Sequence, residues 1–151
     1  MLICNLYGLY GLKIYFCVSL VFLLCLLWFK KIKMKAIQYL IDISRYYICN
    51  NRFVIAGGGN TSYKDEAKIW VKASSSSLAT IAEDGFAVLD RSKLNLMSEK
   101  KYSADAAERE EQVKNDLYAS IEGSDLSLRP SVETSLHELI RYKFIVHLHP
   151  T

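Results

Sequence analysis

Hydrophobic and polar residues recur with a helical period in three parts of the chain. Residues 34–48 carry an amphipathic stripe made of Ile37, Leu40, Ile41, Ser44 and Ile48. Residues 105–121 repeat apolar positions every four residues opposite a strongly charged face. A third helix is predicted from 129–131, with Ser131 as its N-cap, through Tyr142.

Shorter apolar runs between these helices predict strands over 53–55, 68–73, 85–89 and 144–148. Consecutive glycines at 57–59 and the serine run 74–77 interrupt regular structure and predict loops. Helices that alternate with strands indicate the α/β class. We therefore predict a central antiparallel or mixed sheet flanked by helices.

The first 33 residues differ from the rest of the chain. Lys13 is the only charged residue before Lys30, and the 16 residues 14–29 are uncharged and mostly apolar. As a helix this run would extend about 24 Å, which is shorter than the roughly 30 Å hydrocarbon core of a bilayer. We predict an apolar leader helix over 1–33 and a separate body over 34–151.

Two interpretations of the leader stay open. In the first, 14–29 is a membrane anchor, and the lysines after it keep the body in the cytoplasm. In the second, translation starts at Met34, and 1–33 is upstream sequence. Measuring the mass of the native N-terminus would distinguish the two.

Charge and cysteine content exclude several classes of function. Without the leader, the chain has 15 basic and 16 acidic residues. It therefore has no cationic excess that would indicate nucleic-acid binding. Three of the four cysteines lie in the leader, and the sequence has no CxxC pair. A disulfide framework or a cysteine-ligated zinc site is therefore not predicted, and a reducing cytoplasm fits the body.

The segment from Val146 to Pro150 contains a His-x-His pair, His147 and His149. Residues two apart in a strand point to the same side, so both imidazoles could bind one Zn²⁺. Glu133 lies 14 residues upstream of His147 at the start of the preceding helix, and packing of that helix could bring its carboxylate to the metal. A purely structural interpretation also stands, because acidic residues stabilise the first turn of a helix.

Two loops offer groups that suit an anionic phosphate. One is Gly58 to Ser62, and the other is Lys72 to Ser75. Free backbone amides and hydroxyls in such loops can bind phosphate oxygens. A Walker P-loop is excluded because the Gly-Lys-Ser/Thr ending is absent.

The order of the segments GGGNTS, IWVKAS, RPSVETSLHELI and FIVHLHPT closely resembles the N-terminal part of the class II aldolase/adducin family. The resemblance covers roughly Met34 to Thr151 and is strongest to the rhamnulose- and fuculose-1-phosphate aldolases. It implies zinc-dependent cleavage of a ketose 1-phosphate to dihydroxyacetone phosphate and an aldehyde. It also implies a tetramer for intact relatives.

Position by position, the resemblance implies that Glu133 is the catalytic acid and base and that His147 and His149 are zinc ligands. It also implies that the substrate phosphate is bound by Gly59, Asn60, Ser74, Ser75 and Ser131. It implies that His137 is a packing or hydrogen-bonding residue and not a ligand.

The sequence departs from the family pattern at three points. Ser75 stands where glycine is usual, and Val132 stands where serine is frequent. The third zinc histidine of the family should lie some tens of residues beyond His149, whereas the sequence ends at Thr151. We therefore expect a domain truncated at its C-terminus, inactive as this fragment, that retains zinc weakly or not at all.

Two alternative functions remain. A sugar-phosphate epimerase or dehydratase of the same family would share the zinc site, and the residues before Thr151 discriminate poorly between these reactions. A non-catalytic, adducin-like interaction domain is the second alternative. The presence of Glu133, His147 and His149 argues against it, since such domains tend to lose the metal ligands.

Overall fold

The computed structural model describes residues 11–48, 58–123 and 128–149, without the side chains of 11–21 and 48. Four helices, four strands and one 3₁₀ turn follow one another in these ranges. They are α1 (Gly11–Ile48), β1 (Asn60–Lys64), β2 (Lys68–Lys72), the 3₁₀ turn (Glu83–Gly85), β3 (Phe86–Asp90), α2 (Arg91–Glu99), α3 (Ala106–Ala119), α4 (Thr134–Leu139) and β4 (Phe144–His147). The predicted α/β class is confirmed.

The four strands form one sheet in the order β3-β2-β1-β4, and all pairs are antiparallel. The antiparallel alternative of the predicted sheet is therefore the observed one. Strand β1 was not predicted, and it lies in the middle of this sheet between β2 and β4. The strand predicted over 53–55 lies outside the described residues.

The chain divides into two compact units at Ala36 and Ile37. Within the part of the chain that the structure describes, no helix combines the length and the apolar character that crossing a membrane requires. The interpretation of 14–29 as a membrane anchor is therefore not supported. Residues 14–21 of that run lie outside the described side chains.

The part of α1 that belongs to the second unit packs as its sequence pattern predicts. Ile37, Leu40 and Ile41 are buried, and so is Ser44. The Ser44 hydroxyl lies 2.6 Å from the Thr61 hydroxyl in β1. These contacts connect the predicted apolar stripe of α1 to the sheet.

The main apolar core lies between β2, β3 and the helices α2 and α3. It consists of Ile69, Val71, Ala87, Leu89, Leu94 and Leu117. Burying a side chain of this size contributes about 1.5–3 kcal/mol. Helix α3 begins after Asp105, whose carboxylate accepts a hydrogen bond from the Glu108 amide at 2.9 Å, close to the predicted start. Helix α2 begins after Asp90 and was not predicted.

Helix α4 is much shorter than the helix predicted over 129–142. Its N-cap is Glu133, so the prediction of Ser131 as the N-cap is wrong. The Ser131 hydroxyl accepts a hydrogen bond from the Glu133 amide at 3.2 Å, and the Ser131 carbonyl accepts one from the Thr134 amide at 3.0 Å. Ser131 therefore stabilises a turn that precedes the helix and ends in Glu133.

Candidate active site

The predicted site segments meet at one end of the sheet because of its antiparallel register. Asn60, the first residue of β1, is paired with His147, the last residue of β4. Strand β2 runs antiparallel to β1 and ends at Lys72, so the loop with Ser74 starts at the same end. The Ser74 amide donates a hydrogen bond to the Arg129 carbonyl at 2.9 Å, which connects this loop to the segment before Glu133.

The structure brings Glu133, His147 and His149 together. The two imidazole rings lie 4.9 Å apart between centroids. The Glu133 Oε1 atom lies 3.1 Å from His147 Nδ1 and 3.9 Å from His149 Nε2. One donor atom from each residue lies within 4.8 Å of the other two, so the three side chains can converge on a single ion.

The chemistry of this donor set fits a zinc ion. Tetrahedral Zn²⁺ with bonds of about 2.0–2.1 Å separates its ligand atoms by about 3.3 Å, which small side-chain rotations would achieve here. His147 Nδ1 is a buried nitrogen for which the described residues provide no hydrogen bond, although Glu133 lies nearby. The distance of 3.1 Å between this nitrogen and Glu133 Oε1 is short enough for a hydrogen bond, but the two groups are not aligned for one. A buried polar atom without a well-aligned partner is rare in proteins. A cation would satisfy it.

The glycine-asparagine loop leads directly into β1. Gly59 has φ = 80°, a left-handed conformation that glycine adopts without steric cost. Asn60 follows it and is 2% exposed, and its Oδ1 atom finds no hydrogen-bond partner in the described ranges. The loop therefore offers an unpaired side-chain carbonyl oxygen, a hydrogen-bond acceptor, on the residue that is paired with His147.

The three serines predicted to hold phosphate differ in their surroundings. Ser74 is exposed, and its hydroxyl makes a long contact of 3.4 Å with the Pro130 carbonyl. Ser75 is exposed, whereas Ser131 is buried and bonded to Glu133. The structure therefore brings Ser74 and Ser131 to neighbouring segments. The amide of Ser74 and the hydroxyl of Ser131 already have partners within the chain.

Lys72 begins one of the two predicted phosphate loops, but the prediction gave its charged side chain no role at the site. Its side chain is buried, and its Nζ atom makes a long contact of 3.4 Å with the Ala73 carbonyl. Burial lowers the pKa of Lys72, and the negative charge of Glu133 opposes this shift. The available signal was a lysine that ends an apolar strand two residues before a serine run.

His137 lies behind the site, fully buried on α4. Its Nδ1 atom lies 2.7 Å from the Ser62 hydroxyl, which confirms the expected hydrogen-bonding role. Burial lowers the pKa of His137 to about 4. His147 and Lys64 also lower this pKa, whereas Glu133 raises it. The ring is therefore neutral at pH 7, and its centroid lies 6.3 Å from that of His147.

Comparison with known families agrees with this arrangement. The sequence model of the class II aldolase and adducin N-terminal domain matches residues 38–151. The chain belongs to this family. The resemblance noted from the order of its segments is thereby confirmed.

Two relatives illustrate how much of such proteins the chain covers. The uncharacterized oxidoreductase YuxG of Bacillus subtilis (strain 168) is 34% identical over 103 residues, which are 62% of this chain and 14% of that protein. The N-terminal class II aldolase domain of a conserved protein from Thermoplasma acidophilum is 28% identical, with a TM-score of 0.64 over 76% of this chain and 55% of that chain. The chain thus spans about half of the solved domain and a small part of the curated relative.

Proposed function

We propose that this domain is a zinc-dependent aldolase that cleaves a ketose 1-phosphate to dihydroxyacetone phosphate and an aldehyde. The observation that carries the proposal is the position of the Glu133 carboxylate, 3.1 Å from His147 Nδ1 and 3.9 Å from His149 Nε2. A carboxylate beside a pair of imidazoles provides both metal donors and a group that can move protons. Membership of the class II aldolase and adducin family supports the same reading.

His147 and His149 are the residues that would hold the zinc ion. Their side chains are 34% and 55% exposed, so a ligand can reach them. When bound, zinc supplies Lewis-acid stabilisation of negative charge on the oxygens of the substrate.

Glu133 is the proposed general acid and base. Its carboxylate exchanges a proton at the carbon that becomes part of dihydroxyacetone phosphate. The backbone of Glu133 is held in a turn by the Ser131 hydroxyl, and its side chain is 26% exposed, so it stays fixed while facing the substrate. A fixed base that does not need to reorganise lowers the entropic part of the barrier.

The loops at Gly59 and Ser74 are the proposed phosphate site. Asn60, Ser75 and Ser131 complete the polar set predicted for it, and the buried Lys72 adds a positive charge beside Glu133. Holding the phosphate at this end of the sheet would place the adjacent carbon close to Glu133.

The metal part of the proposal is tested by zinc titration of the 151-residue chain against a chromophoric chelator. We expect weak binding of one zinc ion per chain and at least a tenfold loss of affinity (on the order of one lost ligand) in His147→Ala and in His149→Ala. Glu110→Gln, which changes an exposed carboxylate on α3, is the control and should bind zinc as the wild type does. Equal affinity in the wild type and both histidine variants would reject the site.

The reaction is tested by incubating a panel of ketose 1-phosphates with the zinc-loaded chain and with a full-length relative in parallel. Release of dihydroxyacetone phosphate identifies an aldolase, inversion without cleavage an epimerase, and loss of water a dehydratase. Glu133→Gln in the active protein should abolish cleavage while retaining substrate binding. Cleavage at the wild-type rate in that variant would exclude Glu133 as the acid and base.

A further inference from the structure

Helix α4 is docked through its polar side. Its buried residues are Thr134, His137 and Glu138, whereas Leu136 and Leu139 are 49% and 70% exposed. A surface helix ordinarily buries its apolar stripe and exposes its polar face. The leucines of α4 therefore do not hold the helix on the described sheet, and polar contacts must set its position.

The first polar contact is made by Lys64, the last residue of β1. Its ammonium donates hydrogen bonds to the carbonyls of His137, Glu138 and Ile140 at 2.8, 2.6 and 2.6 Å. Carbonyls at the end of a helix have no partner within the helix, and a cation there is favoured by the helix dipole. Lys64 therefore binds the C-terminal end of α4 at three points.

The second contact is made by Ser62, two residues earlier on the same face of β1. Its hydroxyl lies 2.7 Å from Nδ1 of His137, and both residues are fully buried. The two contacts come from one strand and engage the middle and the end of one helix. Two directional contacts fix both the rotation and the position of α4 along β1.

A carboxylate balances the buried charge of Lys64. Glu138 lies 3.9 Å from the Lys64 ammonium and accepts two hydrogen bonds from Arg91 Nε and one from Nη2, at 2.9, 3.0 and 2.7 Å. Such a network is costly to break, because removing one member leaves the other charges buried without compensation. This makes the docked position of α4 a specific one.

The same strand positions the other half of the candidate site. Asn60 at the start of β1 pairs with His147, and Glu133 is the N-cap of α4, where its carbonyl accepts a hydrogen bond from the His137 amide at 3.0 Å. We infer that Lys64, Ser62 and His137 are positioning residues that hold Glu133 over the two imidazoles. This inference rests on the proposed function only for the role of Glu133, since the docking contacts are independent of zinc.

The test compares Lys64→Met with Lys64→Arg, using the chain of 151 residues. Nuclear Overhauser contacts between the Glu133 and His147 side chains report the geometry without metal, and zinc affinity reports its effect on the site. We expect Lys64→Met to lose those contacts and to bind zinc about tenfold more weakly, as loss of a supporting residue does at metal sites. Lys64→Arg should restore part of both. Lys100→Met, which removes an exposed lysine paired with Asp116, should match the wild type.

Ser62→Ala provides a milder variant if Lys64→Met does not fold. Preserved Glu133–His147 contacts in folded Lys64→Met or Ser62→Ala would overturn the inference. If His147→Ala binds zinc as the wild type does while Lys64→Met loses the contacts, the positioning role stands and the proposed metal site fails. The two failures are therefore distinguishable.

Discussion

Helices α2 and α3 and the short helix α4 lie over the same face of the sheet but are held in different ways. Val71, which belongs to the same apolar core as Leu117 of α3, is paired with Ser62, which contacts His137 of α4. Directly paired residues in an antiparallel sheet share a face. The helix-covered face of the sheet thus changes from apolar packing at Val71 to hydrogen bonding at its paired residue, Ser62.

The difference separates stability from geometry. Apolar burial is strong but not directional, and cores tolerate changes that keep volume. Buried hydrogen bonds to charged groups are directional, so they allow only one arrangement of the groups that they join. The apolar region would therefore keep the sheet folded, while the polar region would determine where Glu133 lies relative to His147 and His149.

The largest expected effect is in the apolar region. Leu117→Ala removes a core side chain that is 3% exposed, and we expect a loss of about 2–5 kcal/mol in the free energy of unfolding. Urea denaturation followed by circular dichroism measures it. Leu96→Ala, at a position 65% exposed, is the control and should change stability by less than about 0.5 kcal/mol. A folded Leu117→Ala that also loses the Glu133–His147 contacts would remove the distinction between the two regions.

A second, smaller effect belongs to His137 in the polar region. Its pKa is about 4 in the folded chain, against 6.5 when unperturbed. Between pH 4 and pH 6.5 the His137 imidazole is protonated in the unfolded chain and neutral in the folded chain. The contribution of this residue to the free energy of unfolding is therefore fully present above pH 6.5 and is lost as the pH falls towards 4. The change has an upper limit of about 3 kcal/mol.

Unfolding free energies measured from pH 7.5 to 4 test this dependence. His137→Gln should flatten the curve over that range, while Leu117→Ala should shift it downward without changing its slope. An unchanged slope in His137→Gln would show that other groups cause the acid sensitivity.

The contrast between the regions also explains which elements the sequence predicted. Helix α3 separates apolar from charged positions and begins at a capping aspartate, so its pattern and its bounds agree with the structure. Strand β1 (NTSYK) was missed because it is buried and yet mostly polar. All five of its residues are buried, and the three on the face that meets α4 are polar or charged. Rules that equate burial with apolar character fail on such a strand.

The same physical reason limits prediction of the candidate site. The convergence of His147 and His149 was predicted from the two-residue repeat of a strand, and the two rings do lie together although β4 ends at His147. The shortness of α4 was not, because Ser131 bonds within a turn and leaves Glu133 to begin the helix. Lys72 was missed because a lysine at the end of a strand normally reaches solvent, whereas this one is buried near Glu133.

The smallest expected effect concerns the exposed side of α4. Leu139 is 70% exposed, so Leu139→Gln should change the free energy of unfolding by less than about 0.5 kcal/mol, measured by the same urea titrations. Thr134→Val, at a fully buried polar position at the other end of α4, is the matched comparison. It removes the hydroxyl that donates to the Ser131 carbonyl at 2.6 Å and should cost about 1 kcal/mol. A larger loss in Leu139→Gln than in Thr134→Val would mean that α4 is held by its leucines after all, and the polar docking of this helix would then be wrong.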